Sequence, residues 1–180
     1  MKPILFIVSF TFLTCHFTYS QGNTEELKNQ KLDAMKKLSF MIGTWEGTGW
    51  IQMGNASKET FGIHETIQEK LDGLVYLIEG HGTTEGTTTH KALAMISWNP
   101  EKGQYGFESH TFDGRSAQAV ARLENRTFIW GFNTPNGGLI RYRMEFKTDH
   151  EWFETGAYSP DGETWYPFME MTLNKLDNKP

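Results

Sequence analysis

The chain is short of several features that would announce a function. It has one cysteine, Cys15, and that lies in the first apolar stretch, MKPILFIVSFTFLTCHFTYS. With that stretch removed, the rest has no disulfide, no thiol nucleophile and no cysteine metal ligand, so a domain of this kind must be held by its core. Nothing after residue 20 is apolar for long enough to cross a bilayer as a helix. No basic stripe accompanies the net charge of -5, which argues against nucleic acid as a partner. His64, His81, His90, His110 and His150 form no H-x-H or H-x-x-x-H pair, so their spacing spells no compact metal site. A G-x-S-x-G elbow for a serine nucleophile is also missing.

What is present begins with a targeting pattern. Lys2 is a basic start, Ile4 to Leu13 a short apolar core, and Thr18 and Ser20 are small residues near a cut after Ser20. That core is about half the roughly 20 residues a spanning helix needs. Cys15 opens an alternative, a lipid anchor, although Phe12-Leu13-Thr14 differs from the small-residue context of such cysteines. The expected organisation is a signal peptide at 1–20, a helix at 21–42 that packs on the domain, a β-barrel at 43–176 and a tail at 177–180. Such a protein is exported, to a periplasm or outside the cell. About 160 residues remain after cleavage, enough for one domain with a sizeable core.

Residues 24–41, TEELKNQKLDAMKKLSFM, carry helical periodicity, with Leu27, Ala34, Met35, Leu38 and Met41 near one face. Asn23 and Glu26 have the spacing of a capping box. From Thr44 the rhythm shortens. Strands are expected near 44–52, 58–69, 74–82, 90–98, 104–111, 116–124, 127–132, 138–147, 151–158 and 164–175. Asp72-Gly73, Asn99-Pro100, Asp113-Gly114, Asn136-Gly137-Gly138 and Asp161-Gly162 punctuate them as turns. No helix-length pattern interrupts this antiparallel meander, which excludes a parallel α/β sheet. About ten consecutive strands left open would expose long edges, and closing into an up-and-down barrel removes them. The expected fold class is therefore all-β: a single antiparallel barrel with one helix before it.

The stretch GTWEGTG opens the first strand. Glycines at 43, 47 and 49 let it bend and let another backbone approach closely, and Trp45 offers a large apolar plug. Gly43-Thr44-Trp45 after a short helix resembles the G-x-W opening of the calycin superfamily, which includes lipocalins and fatty-acid-binding proteins. The longer LSFMIGTWEGTG is more similar to nitrobindin-like barrels and to a related bacterial domain family of unknown function. HKALAMISWNPEKGQY and SPDGETW fit the same style, so the resemblance spans nearly the whole chain after residue 20. It implies a barrel with a ligand inside. Nitrobindin-like proteins carry haem on a histidine in the final strand region. Here that region is YPFMEMTLNKLDNKP, which has no histidine, so haem does not carry over and no cofactor is expected.

The candidate binding residues are Trp45, Glu65, Tyr76, His110, Arg141 and Glu154. Glu65 shares a strand face with Phe61, Ile63 and Ile67; if that face points inward, the carboxyl is desolvated and needs a partner. Arg141 and Arg143 share a face opposite Ile140, Tyr142, Met144 and Phe146. Pairing about the turn near Asp149 would bring Arg143 opposite the region of Glu154, as an exposed Arg–Glu ladder of little energetic weight. The sharper alternative turns one arginine inward to hold a ligand carboxylate, as in fatty-acid-binding proteins, although their R-x-Y pattern is not reproduced. Aromatic residues are 14% of the chain, enough to fill a core and to line a cavity. An eight-stranded barrel is about full of its own side chains, whereas ten strands leave room.

Three functions follow. The first is an exported barrel binding a small apolar or amphipathic molecule in its interior. The second is an isomerase-, cyclase- or lyase-type enzyme with a barrel Glu or His as acid or base and an arginine as anion anchor. The third is an accessory protein with a filled barrel, acting by its surface. A cavity without a strongly shifted acid favours the first, a cavity with one favours the second, and no cavity favours the third.

Overall fold

The computed structural model describes residues 21–177. The expected signal peptide, with Cys15, and residues 178–180 lie outside them. A helix, α1 (Gln21–Lys36), leads through a 3-10 turn (Ser39–Met41) into ten strands. These are β1 (Gly43–Ile51), β2 (Glu59–Lys70), β3 (Val75–Thr84), β4 (Thr87–Asn99), β5 (Gln104–Thr111), β6 (Ser116–Glu124), β7 (Thr127–Asn133), β8 (Leu139–Phe146), β9 (Glu151–Ser159) and β10 (Tyr166–Lys175). Each pairs antiparallel with its sequence neighbours, and β10 pairs with β1 to close the barrel. The expected meander is therefore present and closed, with strand limits within three residues of those read from the turn signals.

The helix differs in two respects. Its regular part ends at Lys36, short of the expected Met41, and the expected cap at Asn23 lies outside the residues whose side chains are described. Its inner face is narrower than expected, because Ala34, Met35, Leu38 and Met41 are buried while Leu27 is exposed. That face closes one end of the barrel. Tyr105 donates its hydroxyl to the Ala34 carbonyl at 2.7 Å, and Trp45 Nε1 donates to Met41 O at 2.9 Å. Under the helix Trp45, Phe146 and Trp152 pack as an aromatic cluster, with ring centroids 5.2–5.9 Å apart. Burying large rings in this way is the main stabilising term available to a domain without cross-links.

The glycines of the opening strand have a measurable purpose. A Cβ on Gly47 would collide with the backbone carbonyl of Thr172, so a side chain there would prevent β10 from meeting β1. Gly47 is thus part of the seam that closes the barrel.

Candidate functional site

Strand alternation and register fix which side chains point into the lumen. Trp45 pairs with Glu65, Glu65 with Gly80, Gly80 with Ala92 and Ala92 with Thr111, all on the inner face. On the opposite wall Phe128 pairs with Met144 and Met144 with Glu154, which in turn pairs with Met171. Glu65 and Glu154 therefore project inward from β2 and β9. They are the buried carboxylic acids among the described residues, 9% and 6% exposed.

Gly80 provides the space for the first of them. A Cβ there would lie 2.6–3.0 Å from the Glu65 carboxyl atoms, so the carboxyl occupies the notch left by the missing side chain. Burial pushes the Glu65 acid up from 4.5 to about 8. Burial also raises Glu154 well above the ordinary carboxylate range, and the Glu65 charge adds to that. Trp152 Nε1 lies near enough to favour the charged form of Glu154 slightly, without completing a hydrogen bond. No ion pair among the described residues reaches either acid. Burial thus favours the protonated, neutral form of both, and a protonated carboxyl can donate a hydrogen bond that a neighbouring carboxyl accepts.

Above the acids stands an aromatic wall. Phe107 stacks on Trp130 at 4.0 Å and Trp130 on Tyr142 at 4.2 Å, with Phe168 edge-on to Tyr142 at 5.7 Å. Small inward residues on β6, Ala117, Ala119 and Ala121, leave space for this stack. Burial and the Glu154 charge push the Tyr142 hydroxyl up to about 12, with Arg115 opposing them. Trp130 Nε1 is buried with no partner.

Exposure changes from one end of the lumen to the other. At the helix end Trp45, Ile96, Phe128 and Leu173 are fully buried. At the other end the inward residues Phe61, His90, Ser109, Ala119, Trp130 and Tyr142 are only half-buried. Solvent reaches this half, so the barrel is open there and plugged at the other end. A groove of about 690 Å³ lies near this end along the β10–β1–β2–β3 seam, lined mostly by outward residues such as Thr48, Trp50, Thr60 and Glu170, with Phe61 and Met171. Arg115, paired with Asp113 at 2.7 Å, stands at the open rim, where with burial it lowers His90. A smaller groove of about 280 Å³ lies outside β3–β6 between Val75, Met95 and Gln118. It opens away from both acids and shares none of their chemistry.

The six residues expected to bind ligand divide into two groups. Trp45, Glu65, Tyr76 and Glu154 face the interior. Tyr76 sits at the plugged end, its hydroxyl pushed up to about 12 by burial, Glu69 and Tyr105. Arg141 and His110 lie on the outer surface. Arg141 stacks on Trp165 at 3.7 Å, and His110 Nε2 is 3.6 Å from Glu108 Oε1. The expected ladder between Arg143 and Glu154 does not form: Arg143 pairs with Thr155, and Glu154 lies one residue away on the inner face opposite Met144. A shift of one residue along a strand exchanges inside for outside. The aromatic stack was not singled out from sequence, although the alternation in TFIWGFN and LIRYRMEF contained the signal. The Gly80 notch depends on register alone and leaves no local trace.

The final strand turns Met169, Met171 and Leu173 inward and carries no histidine. No group of three or more His, Cys, Asp or Glu that could hold a metal occurs among the described residues. No helix among them is long and apolar enough to cross a membrane.

Comparison with known proteins supports the barrel and assigns no activity. Residues 31–175 match the family described as "Protein of unknown function (DUF1579)". No curated protein matches the chain. Among solved structures it is similar to the S-type phycobiliprotein lyase CPES from Guillardia theta, with TM-score 0.59 and 9% identity over 82% of this chain and 94% of that one. It is also similar to Rv2717c from M. tuberculosis, with TM-score 0.58 and 10% identity over 80% of this chain and 98% of that one. At such identities the likeness is one of fold, and it supports the closed β-barrel.

Proposed function

The chain belongs to the DUF1579 family, and we propose that it is an exported barrel protein that holds a small apolar or amphipathic molecule in its lumen. One observation carries this reading: the interior is plugged by Trp45 at one end and reached by solvent at the other, with an aromatic wall in the open half and two buried acids beneath it. Binding sites of this type are mostly apolar, with a few convergent polar groups. In this reading Trp45 and Tyr76 form the floor, Glu65 and Glu154 are the polar contacts, and the stack through Tyr142 is the wall. The similarity to a phycobiliprotein lyase agrees with a small-molecule ligand in the same kind of barrel. The motif LSFMIGTWEGTG further supports a place near the nitrobindin-like barrels, without their haem.

The test uses the purified protein. An environment-sensitive apolar dye should bind one to one, and Trp130→Ala should weaken it more than tenfold. Added haem should give no stoichiometric Soret shift, because the last strand offers no histidine. A protein that takes up no dye and releases no small molecule on extraction has a filled barrel, and the surface-acting function then replaces this one. Export is tested by intact mass: a native protein lacking about the first 20 residues supports it. A full-length cytosolic product refutes export, and a lipid on Cys15 replaces it with an anchored form.

The Glu65 acid favours a second reading, an enzyme of isomerase, cyclase or lyase type. A carboxylic acid pushed up to about 8 is matched to proton transfer around neutral pH. If the bound molecule exchanges carbon-bound hydrogen with heavy water on the native protein but not on Glu65→Gln, this second reading is correct.

A further inference from the structure

The two acids also indicate what kind of molecule the lumen accepts, an inference that rests on the binding function proposed above. We infer that the barrel selects an organic cation, an amine or N-alkylated heterocycle whose positive group meets Glu65 and Glu154 while its apolar body lies along the aromatic wall.

Buried carboxyls without a partner are unfavourable, and filling the same volume with apolar side chains would be neutral or stabilising. This barrel nevertheless places two of them in one lumen and leaves Gly80 empty to seat the first. They lie close enough for the charge of Glu65 to act on Glu154. No described ion pair engages them. Arg141, the cation that would suit an acidic ligand, lies outside against Trp165. The missing partner is therefore positive, and it has to come from the ligand.

The surrounding titratable groups agree. Tyr76 on β3, Tyr105 on β5 and Tyr142 on β8 are neutral, and burial raises all three. His90 on β4 is lowered by burial and by Arg115, which favours its neutral form. Lys175 on β10 sits at the plugged end, 5.1 Å from the Trp45 ring, and acts on neither acid. Across the seam β1 presents Trp45 and Gly47, which carry no charge. Beside the two acids a cation would meet neutral rings, and the positive group at the rim, Arg115, is held by Asp113 at 2.7 Å. Its arrival drives one carboxylic acid to give its proton to the buffer, leaving a carboxylate paired with the cation and the second acid free to hydrogen-bond that carboxylate.

The experiment compares three probes of similar size on the whole protein: N-methylquinolinium, neutral quinoline and anionic quinoline-2-carboxylate. Titration calorimetry at about pH 7.5, in buffers of different ionisation enthalpy, gives both affinity and proton release. The permanent cation should bind at least about tenfold more tightly than quinoline and release close to one proton. Its affinity should rise by up to about tenfold per pH unit towards about pH 8 and then flatten, while quinoline binding stays level once it is neutral. Glu65→Gln and Glu154→Gln, nearly isosteric, should each reduce the preference for the cation, and the native protein's proton release needs no variant. Quinoline binding as tightly as the cation without proton release overturns the inference but leaves the binding function intact. Tighter binding of the anion overturns it too. If none of the probes binds and the apolar dye fails as well, the binding function itself falls.

Discussion

The two ends of this barrel follow one rule of alternation and come out as opposites. At the helix end, inward residues are large and fully buried: Trp45, Phe146 and Trp152 interlock beneath α1, and Trp45 is tied to Met41 by a hydrogen bond. At the open end, inward residues alternate between large rings and glycine or alanine, and many keep some exposure. The first end spends its apolar area on stability. The second leaves part of it unsatisfied, as a surface that binds a ligand must. Glu65 and Glu154 lie between the two, deep enough to lose their solvation but still facing the accessible half.

The strongest way to test this contrast is to remove one large ring from each end. Trp45→Ala should destabilise the fold by about 3–5 kcal/mol in denaturant titrations, the range for a buried tryptophan. Trp130→Ala, in the half-buried wall, should lose only about 1–2 kcal/mol while weakening dye uptake more than tenfold. Equal losses from both would mean that the open end is packed as tightly as the plug.

The boundary between the ends should appear in the pH dependence of stability. The Glu65 acid stands at about 8 when folded against an ordinary 4.5, so between those values the folded state holds more protons than the unfolded one. The favourable contribution of the protonated acid is complete below about pH 4.5 and lost as pH rises towards about pH 8. Stability should therefore fall across that window by up to about 1.4 kcal/mol per pH unit. Glu154, raised in the same direction, adds to the fall. Glu65→Gln should flatten the slope, and an unchanged slope would place the acid in water rather than in the wall.

Smaller effects sharpen the comparison at its margins. Tyr105→Phe removes the hydroxyl that anchors Ala34 and should reduce stability by about 0.5–1.5 kcal/mol, loosening the helix but not the lumen. Arg141→Ala should shift stability by less than about 1 kcal/mol and leave the affinities for acidic and neutral probes in the same ratio, because its guanidinium lies outside on Trp165. A selective loss of acidic probes would bring that arginine back to the ligand.

The limits of reading this chain from its letters follow the same division. The ten strands, their turns, the helix before them and the plug at Trp45 were legible because each is a local signal: periodicity, Asp-Gly and Asn-Gly turns, a tryptophan among glycines. The apolar companions of Glu65 at alternate positions raised an inward carboxyl as one of two readings, and the register of β2 against β1 and β3 decides for it. Glu154 was misread as the partner of Arg143 because EWFE can be aligned with IRYR in two registers that differ by one residue. Only the closed set of backbone hydrogen bonds chooses between them.

By itself, then, the sequence of residues 24–177 determined an all-β meander entered through a helix, and its lack of edge protection required closure. The tertiary structure alone decided which side chains share the lumen. Glu65 and Gly80 are neighbours only because β2 and β3 pair in one register, and Glu65 and Glu154 share one interior only because β10 returns to β1. The physical reason is range. Strand propensity and turn chemistry act over a few residues, whereas desolvating two acids in one interior requires contacts between segments far apart in the chain, and those exist only after the barrel has closed.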